Sequence, residues 1–234
     1  MNRYKTILAA TIVAVCNANG GFANETNLID TLRPSARQAI SEAGQIDPAR
    51  VRMLKQAAAF VSDRIAQGKP PELTFICTHN SRRSHLAQIW AQTAAIYYGL
   101  PTVTTYSGGI DVTACNPRTV RALRRAGFSI VQSTEGTNPV YLAQISETKP
   151  AVKMFSKRYG DAGNPQSDFA ALFSCDQADA SCPLVKGAAL RLPVLYVDPK
   201  VSDNTPAEDA TYDERSRQIA REMFFLMSQV KAGK

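Results

Sequence analysis

Short apolar runs recur along the chain, and most are followed by residues at helical spacing. Residues 73–76 form a β-prone run that ends at Cys77. Leu86, Ile89, Trp90, Thr93 and Tyr97 then fall on one helix face, and Ser84 ahead of them reads as the N-cap. Residues 103–106 are a second run, ending in Ser107-Gly108-Gly109. A helix is expected next, capped by Asn116, begun by Pro117, running through Val120 and Leu123 and closed at Gly127. Residues 169–174 make a third apolar run and 192–197 a fourth, which ends at Asp198-Pro199. A last helix, about 209–231, carries Tyr212, Ile219, Met223 and Leu226. Strands alternating with helices predict an α/β fold: a four-stranded parallel sheet with helices on both faces. Ligands in such sheets bind beyond the carboxyl ends of the strands.

Two stretches depart from this rhythm. Residues 24–71 predict an N-terminal helical extension. Its helices span about 34–43 and 48–66, the second with Val51, Leu54, Ala58, Val61 and Ile65 on one face. The extension reads as a packing layer on the sheet. Residues 132–166 hold Gly136, Asn138-Pro139, Pro150, Gly160, Gly163 and Asn164-Pro165, with one strand expected at 152–155. They read as an insertion over the rim of the site, where loops set specificity. Tyr141, Lys157 and Arg158 are its candidate substrate contacts.

The formal net charge is +7. No basic run is interleaved with aromatics, so nucleic acid is not the expected partner. Arg118, Arg121, Arg124 and Arg125 read as a solvated helix face. The positive balance suits small anionic substrates. At the N-terminus, Arg3 and Lys5 precede an apolar stretch over 7–15, and Gly21-Phe22-Ala23 supplies small residues for cleavage. This predicts a signal peptide over 1–23 and a periplasmic or secreted protein, with no stable membrane insertion after cleavage. Lipidation at Cys16 ranks second, because Val15 is bulky for the position before a lipidated Cys. Cys77, Cys115, Cys175 and Cys182 remain. In an oxidising compartment they could form two structural disulfides, with three connectivities open. Cys115 reads as structural or incidental.

The chemistry concentrates at residues 77–84. Cys77 ends a strand, Arg83 follows six residues later, and a helix begins there. Strand, polar loop and helix start make an anion cradle of backbone N–H groups. An arginine fork can hold two oxygens of a tetrahedral oxyanion while a thiolate attacks its centre. Thr78, His79, Asn80, Ser81, Arg82, Arg83 and Ser84 are the candidate oxyanion-binding residues. His85 reads as a solvent-facing helix residue.

This Cys-x5-Arg-Ser loop, with Asn80 inside it, resembles the low-molecular-weight tyrosine phosphatase superfamily, which includes thioredoxin-coupled arsenate reductases. The resemblance spans about residues 72–234, with 132–166 unmatched. It implies Cys77 as nucleophile, Arg83 as oxyanion clamp and Asp198, in Asp198-Pro199, as general acid. The stretch from Cys175 to Cys182, followed by Pro183, is similar to the redox segment of the reductases. A phosphatase needs no further thiol, whereas reduction of arsenate must move two electrons. The resemblance therefore implies a thiol-dependent arsenate reductase with a relay Cys77–Cys175–Cys182. It would have no bound cofactor and would be regenerated by an external dithiol reductant of thioredoxin type. A phosphatase using Cys77, Arg83 and Asp198 is the hydrolase alternative, and an oxyanion-binding protein the non-enzymatic one. A static Cys175–Cys182 disulfide stays open beside the relay. Three positions depart from the family pattern: His79 replaces a glycine, Arg82 stands where many members carry a second loop cysteine, and Gln88 where potassium-binding reductases have an acid. No metal site is expected.

Overall fold

The computed structural model describes residues 24–182 and 184–231. The expected signal peptide over 1–23 and Cys16 lie outside them. Among the described residues no helix is long and apolar enough to cross a membrane.

Helix α1 (Arg33–Ser41) and helix α2 (Pro48–Ala66) open the chain. The Asp47 side chain caps α2 by accepting from Ala49 N–H at 2.7 Å, and Pro48 occupies the first turn, where no donor is needed. Strand β1 (Glu72–Cys77) then leads through the loop to helix α3 (Arg83–Tyr97). Strand β2 (Thr104–Gly109) and helix α4 (Pro117–Arg125) follow. Three short strands come next: β3 (Ser129–Gln132), β4 (Tyr141–Gln144) and β5 (Val152–Met154). The chain closes with β6 (Phe169–Phe173), α5 (Asp176–Ser181), β7 (Ala188–Pro193) and the long α6 (Glu208–Ser228).

The main sheet runs in the order β2-β1-β6-β7, and every neighbour pair is parallel. Alternation along the strands separates its two faces. Leu73, Phe75, Ala170, Leu172 and Leu192 belong to the larger core, shared with α3, α6 and the N-terminal helices. Ile76, Phe169, Ala171 and Phe173 face a smaller cluster, which holds Cys77, Cys175 and Ala178 of α5. Helices therefore cover both faces, as expected, but unequally.

Three expectations change here. The fourth strand lies at 188–193 rather than 192–197. Pro193 ends its pairing because it offers no N–H, and Val194 and Tyr196 continue as extended chain buried in the core. Residues 132–166 contain more order than one strand: β3, β4 and β5 form an antiparallel sheet. Its inner face, Ile130, Tyr141, Ala143 and Met154, joins the larger core, so Tyr141 does not reach the rim of the loop. The arginines of α4 are not simply solvated. Arg118 and Arg121 pair with Glu208 at 2.8 and 3.0 Å, and Arg125 with Asp213 at 2.7 Å, tying α4 to α6. Arg124 instead donates to the Ile130 carbonyl.

Candidate active site

Cys77 is the last residue of β1, and its thiol is buried. Its Sγ lies 3.1 Å from the Ser84 hydroxyl. Ser84 is not the N-cap of α3. The helix starts at Arg83, and no side chain caps it. Ser84 Oγ accepts from Asn80 Nδ2 at 2.9 Å, which leaves its proton free to point at the sulfur. Asn80 is itself fixed: its Oδ1 accepts from Lys157 N–H at 3.0 Å. Its φ is +44°, the left-handed region that Asn tolerates better than most residues. Asn80, Ser84 and Cys77 thus form a short hydrogen-bonded chain in which a hydroxyl donates toward the reactive atom.

The N–H groups of His79, Asn80, Ser81 and Arg82 find no acceptor among the described residues. They are the free donors of an anion cradle. Neighbouring chain packs closely around them. A Cβ on Gly109 would sit 2.4 Å from the Asp111 carbonyl oxygen and 2.8 Å from the Asn80 nitrogen, and a Cβ on Gly108 would sit 2.3 Å from Tyr159 Cα. Residues 156–159 reach the loop from the far side. Ser156 Oγ donates to the His79 carbonyl at 2.8 Å, and Gly109 exchanges bonds with Lys157 and Tyr159.

Arg83 donates through Nη1 to the Tyr196 carbonyl at 2.9 Å and through Nη2 to Asp198 Oδ2 at 2.8 Å. Its Nε is buried with no partner in the protein, a donor that suits an incoming oxyanion. Asp198 therefore stands beside the loop, held by the arginine proposed as clamp, and its other oxygen caps Lys200 N–H at 3.0 Å. The Arg82 side chain is held by its neighbours: Nε donates to the Tyr212 hydroxyl at 2.8 Å and lies 4.0 Å from Asp198 Oδ1, and Nη2 donates to Asp203 at 3.3 Å. Only its backbone N–H remains for the cradle. His79 is exposed and presents its ring to solvent.

His85 corrects a sequence expectation. It is fully buried, with Nδ1 3.2 Å from Ser107 Oγ and Nε2 unpaired. Burial, reinforced by the nearby Lys157 charge, holds its pKa down at about 3. Lys157 is buried as well, and burial lowers it to about 8. Neither hydrophobic spacing nor composition announces this His–Lys pair behind the loop. Cys115 lies in the same region, and burial pushes its thiol up.

Cys175 caps α5, its sulfur 3.4 Å from Ala178 N–H and 3.4 Å from Thr78 Oγ1. It shares one apolar cluster with Cys77, and Cys182 packs against that cluster. The Cys175 and Cys182 thiols are both free. Cys182 is partly exposed and lines a cleft of about 600 Å³ with Arg158, Tyr159 and Lys186. Among the described residues no group of three or more His, Cys, Asp or Glu gathers as a metal site.

No family model matches the chain. An arsenate reductase of Bacillus licheniformis is 40% identical over 60 residues, 26% of this chain and 40% of that protein. An arsenate reductase of Halalkalibacterium halodurans is 36% identical over 73 residues, 31% of this chain and 50% of that protein. The matches thus span half or less of these relatives' length. A low-molecular-weight phosphotyrosine phosphatase from Vibrio cholerae aligns in structure with 13% identity and a TM-score of 0.41, over 67% of this chain and 94% of that one. Over the matched stretches of 60 and 73 residues the chain is similar to arsenate reductases.

Proposed function

We propose that this protein is a thiol-dependent arsenate reductase built on the phosphatase scaffold. The observation that carries the reading is the place of Cys175: a free thiol, 3.4 Å from the loop residue Thr78 and in one cluster with Cys77. Arsenate binds to the free loop amides and Arg83. The Cys77 thiolate attacks arsenic, and an oxygen leaves as water with the proton of Asp198. Cys175 attacks Cys77 sulfur. The electron pair of the sulfur–arsenic bond passes to arsenic, and arsenite departs. Cys182 then attacks Cys175 and restores the Cys77 thiolate. An external dithiol protein of thioredoxin type reduces the Cys175–Cys182 disulfide. Export through residues 1–23 belongs to this reading and sets where that reductant must act.

A phosphatase reading has its own support. Arg83 and Asp198 pair beside the loop that Cys77 opens, without any need of Cys175 or Cys182, and a cavity of about 360 Å³ adjoins that loop at His79, Ser81 and Arg82. The deciding experiment gives purified protein arsenate or a phosphate ester, with and without the reductant. Mass spectrometry of Cys175→Ser and Cys182→Ser after one exposure to arsenate accompanies it. The relay predicts about one arsenite per Cys182→Ser molecule and a trapped Cys77–Cys175 disulfide, with no arsenite from Cys175→Ser. Identical behaviour of the two variants, with ester hydrolysis retained, would replace the reductase by the phosphatase.

A further inference from the structure

A cavity of about 360 Å³ adjoins the outer wall of the loop. His79, Ser81 and Arg82, three of the residues between Cys77 and Arg83, form one side of it. Thr113 and Asn116 form another, and Lys200, two residues after Asp198, closes it. No Phe, Tyr or Trp and no acidic side chain lines it among the described residues. Lys200 and His79 are exposed, and their side chains have no hydrogen-bond or ion-pair partner among the described residues. Ser81 is nine-tenths buried and lines the same wall. Arg82 is balanced by Asp203, and Arg83 by Asp198 until an oxyanion takes it. The uncompensated charge at the mouth is therefore positive, and the walls offer donors, with the His79 imidazole as their one ring.

We propose that this cavity is a second anion subsite. The phosphate compound that fits loop and cavity together is a small ester or anhydride whose leaving group carries a further negative charge. The inference rests on the reading of residues 77–84 as an oxyanion loop and names the substrate class for its hydrolytic use. The Cys77 thiolate attacks phosphorus, and the bond from phosphorus to the leaving oxygen breaks. That oxygen takes its proton from Asp198. Water then attacks the phosphocysteine, returns a proton to Asp198 and releases orthophosphate and the thiolate. The second anionic group meets Lys200, His79 and Ser81 throughout, so its contacts favour such substrates over simple alkyl or aryl phosphates.

Protection of Cys77 against alkylation tests the subsite with two inorganic probes. Pyrophosphate, which can occupy loop and cavity at once, should half-protect Cys77 at roughly one tenth of the orthophosphate concentration. Lys200→Gln and, separately, Thr113→Asp should each lower that ratio at least about fivefold. Both positions are exposed; because the Thr113 hydroxyl donates to the His79 carbonyl at 3.3 Å, orthophosphate protection of that variant serves as the control on the loop. A wild-type ratio near one, or a ratio unmoved in both variants, overturns the subsite while leaving the loop reading intact. Protection by neither anion overturns the loop reading and the subsite with it.

Discussion

Single residues in this site act through their neighbours more than their types announce. Ser84 sits where an N-cap is expected, yet its hydroxyl serves Cys77 sulfur and is aimed by Asn80. Ser84→Ala should slow Cys77 alkylation and turnover by about tenfold, the loss of one charge-assisted hydrogen bond of roughly 1.5 kcal/mol. Unchanged alkylation kinetics would show that the hydroxyl does not address the sulfur. Arg83→Lys should also cost at least about tenfold in turnover, because a lysine cannot hold the Tyr196 carbonyl, Asp198 and an oxyanion at once. Near-normal activity would pass the role to Arg82, which already donates to Tyr212 and Asp203. His85 gives a pH dependence with a definite sign. The unfolded chain takes a proton on this ring near the ordinary value of 6.5, the folded chain only near 3. Its contribution is therefore whole above about pH 6.5 and is lost as pH falls toward 3. Between pH 7.5 and 5.5 the loss is about 1.4 kcal/mol. Denaturant midpoints at the two pH values should separate in the wild type and draw together in His85→Asn; equal separations would remove His85 as the cause. Cys77, Arg83 and Asp198 could be singled out from residue types, spacing and the family resemblance, and the structure places Asp198 against Arg83 and Cys77 against Ser84. The buried His85 and Lys157 could not, because burial of a polar side chain is decided by tertiary packing.

At the scale of elements, periodicity located strands where pairing and burial coincide and failed where they part. Residues 192–197 are apolar because Leu192, Val194 and Tyr196 are buried, yet after Pro193 the strand ladder ends and a single bond, from Tyr196 N–H to the Ser174 carbonyl at 3.2 Å, continues it. The antiparallel strands β3 to β5 are only three or four residues long, too short for alternation to stand out among their glycines and prolines. Helix α5 was not legible for a similar reason: six residues hold under two turns. Its presence has a chemical consequence. Cys175 and Cys182 bracket it, seven residues apart, so about 10 Å of helix separates their Cα atoms. A disulfide needs them within roughly 7 Å. Formation of Cys175–Cys182 must therefore unwind α5. Hydrogen exchange of the amides over 178–182 should be protected in the reduced protein and fast once that disulfide forms. Equal protection in both states would show that the disulfide closes without unwinding α5.

Across the whole molecule, the N-terminal segment does more than cover the sheet, and this could not be read from its amphipathic pattern. Arg50 of α2 reaches across to Glu222 of α6 at 2.9 Å, lies 4.6 Å from the centre of the Tyr196 ring and donates to the Leu195 carbonyl. Tyr196 donates its hydroxyl to the same Glu222 at 2.8 Å, while its carbonyl accepts from Arg83. Two residues further on stands Asp198. The extension thus holds, through one buried ion pair, the chain segment that carries Asp198 to Arg83. Arg50→Met leaves Glu222 buried beside Tyr196 without its cation, which should cost about 3–5 kcal/mol of stability. In a chain of this size that lowers the melting temperature by roughly 6–20 °C. Lost activity in this variant alone could reflect nothing more than unfolding. The pair Arg50→Met with Glu222→Leu separates the two effects. Replacing both charges with apolar side chains of similar volume should recover most of the stability, but the Leu195 carbonyl would still lack its donor. The double variant should therefore melt near the wild type yet turn over several-fold more slowly, with the loss in kcat rather than in KM, since the oxyanion loop itself is untouched. Full recovery of kcat along with the melting temperature would reduce Arg50 to a packing residue and detach the extension from the chemistry.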